Sequence, residues 1–148
     1  MSEHHATIAW QRGAVEFTYQ EYSRDHDWIF PNGVEIAASA APAFRGTPDR
    51  IDPEEAFVAS LASCHMLTFL ALAAREGIVV DGYQDSAVGL LSKDDEGRMA
   101  ITRVTLRPTI TFGGDPPAAA DLTRLHQQAH HECFIANSVH TAITVEQP

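Results

Sequence analysis

Asp52-Pro53-Glu54-Glu55-Ala56-Phe57-Val58-Ala59-Ser60-Leu61-Ala62-Ser63-Cys64-His65-Met66-Leu67-Thr68-Phe69-Leu70-Ala71-Leu72-Ala73-Ala74-Arg75-Glu76-Gly77 is the stretch around which the rest of the chain must be arranged. It begins as helices begin. Asp stands in the capping position, Pro takes the first helical position where its missing N–H is not needed, and acids fill the first turn. Gly77 stops it. From Ala56 to Ala74, nineteen consecutive residues carry no formal charge, close to the length that spans a bilayer. The composition argues against a span: much of the run is Ala, and Ser60, Ser63, Cys64, His65 and Thr68 interrupt it. The flanking Glu54, Glu55, Arg75 and Glu76 show no excess of positive charge on either side. A helix apolar on all its faces in a soluble chain is a central helix, covered all round.

Outward from that helix, the whole chain has 148 residues, 45% of them apolar and 20% charged, the balance of one soluble domain spanning residues 1–148. Ten Lys+Arg against twenty Asp+Glu leave a net charge of −10. Such a surface repels phosphate backbones and anionic bilayers, which argues against nucleic-acid and membrane partners. Met1-Ser2-Glu3-His4-His5 has neither a basic start nor an apolar run, so no secretory signal is visible and a cytoplasmic location is expected. Two cysteines are too few for a disulfide scaffold; if both matter, they matter as chemistry.

The first fifty residues read as strands. Val15, Phe17 and Tyr19 alternate with Glu16, Thr18 and Gln20, the period of a half-buried strand, and Arg12-Gly13 turns into it from Ile8–Trp10. Trp28-Ile29-Phe30 and Val34-Glu35-Ile36 flank an Asn32-Gly33 pair suited to a tight hairpin. Residues 40–50, with Pro42, Gly46 and Pro48, read as a loop. Beyond the helix, Ile78–Leu91 and Arg98–Phe112 are rich in β-branched residues and joined by Lys93-Asp94-Asp95-Glu96-Gly97, which predicts one long hairpin. Asp115-Pro116 predicts the opening of a second helix, with Leu122, Leu125, Ala129 and Cys133 on one face, and Thr141–Glu146 a last strand. The order predicts an α+β fold: a mainly antiparallel sheet with a long buried central helix and a second helix. One small sheet cannot cover a helix apolar all round, so the spare face predicts a second copy of the chain, a homodimer.

The two cysteines lie on the two helices, and each has histidine nearby. His65 adjoins Cys64, and His130 is one helical turn before Cys133. Packed together in the core, the cysteines would form a disulfide once their Cα atoms approach within about 4.4–6.8 Å. In a reducing compartment such a pair reads as catalytic or redox-sensing rather than structural.

The residues from Asp52 to Leu67 closely resemble the first cysteine motif of the OsmC/Ohr family, the osmotically inducible and organic hydroperoxide resistance proteins. His131-Glu132-Cys133-Phe134-Ile135-Ala136-Asn137-Ser138-Val139 resembles its second cysteine motif, and Tyr22-Ser23-Arg24-Asp25-His26-Asp27-Trp28 its early arginine loop. The resemblance runs from about residue 7 to the end. It implies a cysteine-based peroxidase without a cofactor, working as an intertwined homodimer with two active sites at the interface. Cys64 would be the peroxidatic and Cys133 the resolving cysteine, Arg24 would activate the thiolate, and Glu54 would orient Arg24. The resemblance also suggests a lipoyl-type dithiol as reductant, and the apolar residues around Cys64 favour an organic hydroperoxide as substrate, in stress defence. On a straight helix Glu54 and Cys64 stand about 15 Å apart along the axis, so Glu54, with Arg24, is expected to serve the Cys64 of the partner subunit.

Two positions depart from the family pattern: Phe134 stands where proline is common after the second cysteine, and Asp52 where Asn is common before Pro-Glu. Glu55 competes with Glu54 for the carboxylate role. His65 either assists Cys64 or is a hydrogen-bonded core histidine, since neighbours on a helix point about 100° apart. His126, His130, His131 and Glu132 read as a polar helix face. The rival readings are a Cys/His metal site from Cys64, His65, His130 and Cys133, a Cys–His acyl-transfer enzyme, and a non-catalytic redox-sensing stress protein.

Overall fold

A computed structural model describes residues 1–146, which divide into two compact units, one of residues 1–56 and one from Phe57 onward. The order of elements is β1 (Thr7–Ala9), β2 (His26–Ile29), β3 (Glu35–Ala38), a short 3₁₀ turn, α1 (Pro53–Arg75), β4 (Val80–Asp85), β5 (Val88–Lys93), β6 (Met99–Leu106), β7 (Pro108–Phe112), α2 (Ala119–Glu132), a second 3₁₀ turn and β8 (Ala142–Val145). Two helices with mainly antiparallel pairing make the α+β architecture that the sequence predicts.

In the first unit β1, β2 and β3 form an antiparallel sheet in that order. Trp28 pairs with Ile8 on one side and Ile36 on the other. The β2–β3 hairpin turns at Asn32-Gly33, where the Val34 N–H donates to Asn32 Oδ1 at 3.1 Å. The strand predicted at Val15–Gln20 is absent: the segment runs as bends and turns. Among the described residues no strand pairs with this segment, although β1 lies at the edge of its sheet with β2 on one side only. Phe17 instead packs its ring against Trp10 and Tyr22, with centroids 5.9 and 5.3 Å away. The loop after β3 is held by Asp25, whose Oδ1 accepts from Ser39 Oγ at 2.9 Å and Thr47 Oγ1 at 2.7 Å.

The start of α1 is a reciprocal capping box. The Glu55 N–H donates to Asp52 Oδ1 at 2.8 Å, and the Asp52 N–H donates to Glu55 Oε2 at 3.2 Å. At its other end Gly77 takes φ +74°, and the Ile78 N–H closes on the Ala73 carbonyl at 2.9 Å.

In the second unit α1 buries the stripe Leu61, His65, Phe69, Leu72 and Ala73, spaced as one helix face. This stripe feeds two cores. Phe69, Leu72 and Ala73 pack with Leu125 and Ala129 of α2, while Leu61 packs with Val104 and Leu106 of β6. Gly89 of β5 allows close approach there: a Cβ added to it would stand 2.5 Å from Val58 Cγ2. Leu67, on the opposite face of α1, is 60% exposed among the described residues.

The long hairpin predicted for residues 78–112 divides into two ladders, β5 with β6 and β4 with β7, because the strands leave one sheet for another at Ser86-Ala87 and Arg107. The last strand forms as predicted at β8 but pairs parallel to β6. The second helix begins at Ala119 rather than at Asp115-Pro116. Asp115 and Pro116 each precede a proline, and that position is driven out of the helical region.

Candidate active site

Cys64 lies mid-way along α1 and is half-buried, whereas Cys133 is 1% exposed. Cys133 is one residue beyond the helical face predicted for it. It caps α2 in an extended conformation, φ −70° and ψ 114°. That turn of the backbone lets its sulfur accept the Ala136 N–H at 3.4 Å. The fold brings the two thiols, distant in sequence, into hydrogen-bonding contact, and both are free. Burial, and then the hydrogen bond with Cys64, push the Cys133 thiol up to about 11. Cys133 therefore stays protonated at neutral pH, while Cys64 is the sulfur that solvent and solutes reach.

Directly after Cys64, His65 is a core histidine, 1% exposed. Its Nε2 is 3.0 Å from Nδ1 of His126 on α2, and the two rings are stacked within 6° of parallel. His126 also stacks on Phe69, with centroids 4.5 Å apart. This corrects the polar-face reading of α2. His130 and His131 are exposed, but His126 is 3% exposed and belongs to the core. Burial, with His126 and His130 adding to it, lowers His65 to about 4, and burial lowers His126 to about 4. Both rings are neutral at physiological pH. Nδ1 of His65 is buried without a hydrogen-bond partner. His126 was legible only as a helix residue; nothing in its spacing distinguishes it from its polar neighbours.

Arg24 and Glu54 belong to the first unit. Arg24 donates through Nη1 to the Tyr22 carbonyl and through Nη2 to the Tyr19 carbonyl, the latter at 2.6 Å, and its guanidinium lies 3.7 Å above the Tyr22 ring. Among the described residues it makes no ion pair, so the carboxylate pairing with Glu54 is not formed within this chain. Glu55, the competitor for that role, is occupied by the capping box. Glu54 is half-buried and its carboxylate makes no contact of that kind among the described residues. Arg24 borders a cavity of about 420 Å³ walled by Ile8, Trp10, Phe17, Tyr22 and His26. Phe17, read from sequence as part of a strand, is one of its walls. Among the described residues no group of three or more His, Cys, Asp or Glu side chains is disposed to hold a metal ion. Of the four residues proposed for zinc, Cys64 and Cys133 interact with each other, His65 pairs with His126, which was not among the four, and His130 is exposed.

The chain is a two-helix α+β fold that brings its two cysteines together, and comparisons with known proteins give its family. Residues 46–147 match the family model for OsmC-like protein, and the chain belongs to that family. No curated protein matches it. An OsmC-like protein of unknown function from Vibrio cholerae is 45% identical, with all of both chains covered and a TM-score of 0.95. The fold is also that of an organic hydroperoxide resistance protein from Elizabethkingia anophelis, at 17% identity, TM-score 0.74, and coverage of 99% of this chain and 94% of that one. The organic hydroperoxide resistance protein of Bacillus subtilis is 18% identical with a TM-score of 0.71, over 99% and 98% of the two chains.

Proposed function

We propose that the protein is a cysteine-based peroxidase that reduces organic hydroperoxides to alcohols in oxidative and osmotic stress defence. The observation that carries this reading is the contact between an accessible Cys64 and a buried, protonated Cys133 in a member of this family. The Cys64 thiolate attacks the terminal peroxide oxygen and the O–O bond breaks. The leaving alkoxide takes up a proton and departs as alcohol, and the sulfur, oxidised by two electrons, becomes a sulfenic acid. The Cys133 thiol condenses with it, releasing water and forming the Cys64–Cys133 disulfide. An external dithiol, of lipoyl type by family resemblance, then reduces the disulfide by exchange. A neighbouring thiol already in contact makes condensation faster than a second oxidation, which protects Cys64 from the sulfinic state.

Arg24 supplies the positive charge that favours the thiolate and stabilises charge on the departing oxygen, and Glu54 orients it. Both act on the Cys64 of a partner subunit in a homodimer. Two observations support this: α1 runs unbroken from Glu54 in its first turn past Cys64, and Leu67 on its outer face is exposed. The aromatic walls beside Arg24 suit an apolar substituent on the peroxide. The whole of residues 1–148 acts as one such domain, in the cytoplasm, without a cofactor and with neither nucleic acid nor membrane as partner.

The test is steady-state turnover of cumene hydroperoxide and hydrogen peroxide with dihydrolipoamide, for wild type and Cys64→Ser. Turnover of the organic peroxide that disappears in the variant is the expected result. Faster turnover of hydrogen peroxide would overturn the substrate class, and no turnover of either would overturn the peroxidase.

A further inference from the structure

We propose that the His65–His126 couple is a positioning device that holds Cys64 against Cys133. The proposal rests on the reading of these cysteines as a working pair. Its geometric basis is that the same two elements carry both couples. Cys64 and His65 are consecutive on α1, while His126 and Cys133 stand seven residues apart on α2 and its cap. The two contacts are therefore adjacent on α1 but roughly 10 Å apart along α2. Beyond His65 the packing of Phe69, Leu72 and Ala73 on Leu125 and Ala129 is apolar and non-directional, and the directional Arg124–Glu76 ion pair ties α2 only to the far end of α1. A hydrogen bond is directional. At 3.0 Å between His65 Nε2 and His126 Nδ1, with the rings 6° from parallel, it sets both the rotation of α1 and the lateral placement of α2.

The unpartnered Nδ1 of His65 identifies the donor. Were His126 Nδ1 to carry the hydrogen, His65 would hold its own on Nδ1, a buried N–H with no acceptor. Orphaned N–H groups are rarer and costlier than orphaned acceptors. The arrangement that avoids this has His65 Nε2–H donating to His126 Nδ1, which leaves a bare lone pair on His65 Nδ1 and turns the remaining N–H of His126 outward. His126 and His130 line a cavity of about 230 Å³ on that side. Neutrality of both rings is part of the device, since a second proton would replace the acceptor by a donor and break the bond.

Phenylarsine oxide tests the proposal without relying on peroxide chemistry. It forms two As–S bonds with a close dithiol and releases water, so its affinity reads the proximity of the two sulfurs. His126→Phe keeps a ring on Phe69 and removes the hydrogen bond; His126→Asn offers an amide oxygen near the position of Nδ1. The expected result is about a tenfold weaker arsenical affinity in His126→Phe, with most of it recovered in His126→Asn. His65→Leu, which removes the donor in place of the acceptor, is expected to lose the same factor and replaces His126→Phe should that variant not fold. Imidazole nitrogen NMR of the wild type is expected to show His65 in the Nε2–H tautomer. Wild-type arsenical affinity in folded His126→Phe or His65→Leu would overturn the proposal. A wild type that fails to turn over peroxides while this arsenical pattern holds would refute the peroxidase and leave the positioning role supported.

Discussion

Mild acid is expected to destabilise this protein well before its carboxylates protonate. His65 and His126 are buried and lowered to about 4 in the folded state, against 6.5 in the unfolded chain. Between those values the unfolded state binds protons that the folded state refuses, so stability is fully present above about pH 6.5 and falls as pH drops toward 4. For a single group with these constants, the loss at pH 5 relative to pH 7.5 is about 2 kcal/mol. Taking that figure for His65, and about half of it for His126 because it borders an open cavity, gives a total of about 3 kcal/mol. Asp25, whose carboxyl is lowered by its hydrogen bond from Thr47 and by further contacts from Ser39 and Arg50, loses its contribution only below this window. Asp85, raised by burial, works in the opposite sense and gains stability as it protonates. Urea unfolding followed by circular dichroism at half-unit steps from pH 7.5 to 5 measures the effect. In His126→Phe the same series is expected to be distinctly flatter. A wild-type loss below about 1 kcal/mol over this range would refute the assignment of two buried neutral rings.

Removing the helix cap with Asp52→Ala leaves the first-turn N–H groups without their acceptor and is expected to cost about 1 kcal/mol in urea unfolding; an unchanged midpoint would show that the capping box contributes nothing. Gly89→Ala forces a methyl group to within 2.5 Å of Val58 Cγ2, and the branched valine has little room to give way. A loss of about 1–3 kcal/mol is expected, and a variant as stable as wild type would mean that β5 moves freely away from α1. Cys133→Ser leaves the Cys64 sulfenic acid without its adjacent thiol; intact-mass analysis after one equivalent of cumene hydroperoxide, then excess, is expected to show sulfinic and sulfonic forms of Cys64 that the wild type avoids.

Local chemistry carries the legible part of this fold. The Asp-Pro-Glu-Glu start, the Gly77 stop and the Asn32-Gly33 hairpin were readable because each depends on a few consecutive residues and on backbone geometry that their side chains dictate. The misreadings arise where pairing partners decide the outcome. Val15–Gln20 alternates as a strand should, yet no strand among the described residues pairs with it, and its Phe17 ring closes on Trp10 and Tyr22 instead. The hairpin over residues 78–112 has strand composition throughout, but where it leaves one sheet for another is settled by what packs on each face.

The same division holds in the candidate site. The amino-acid sequence alone determined that two cysteines ride on two helices, that the first helix is apolar on every face, and that the surface is acidic, since these follow from residue type and short-range spacing. Only the tertiary structure decided that the cysteines meet and that His126 belongs to the core beside His65. Those facts depend on how α2 packs on α1, which is chosen by residues some sixty positions apart, a distance over which helical periodicity carries no information.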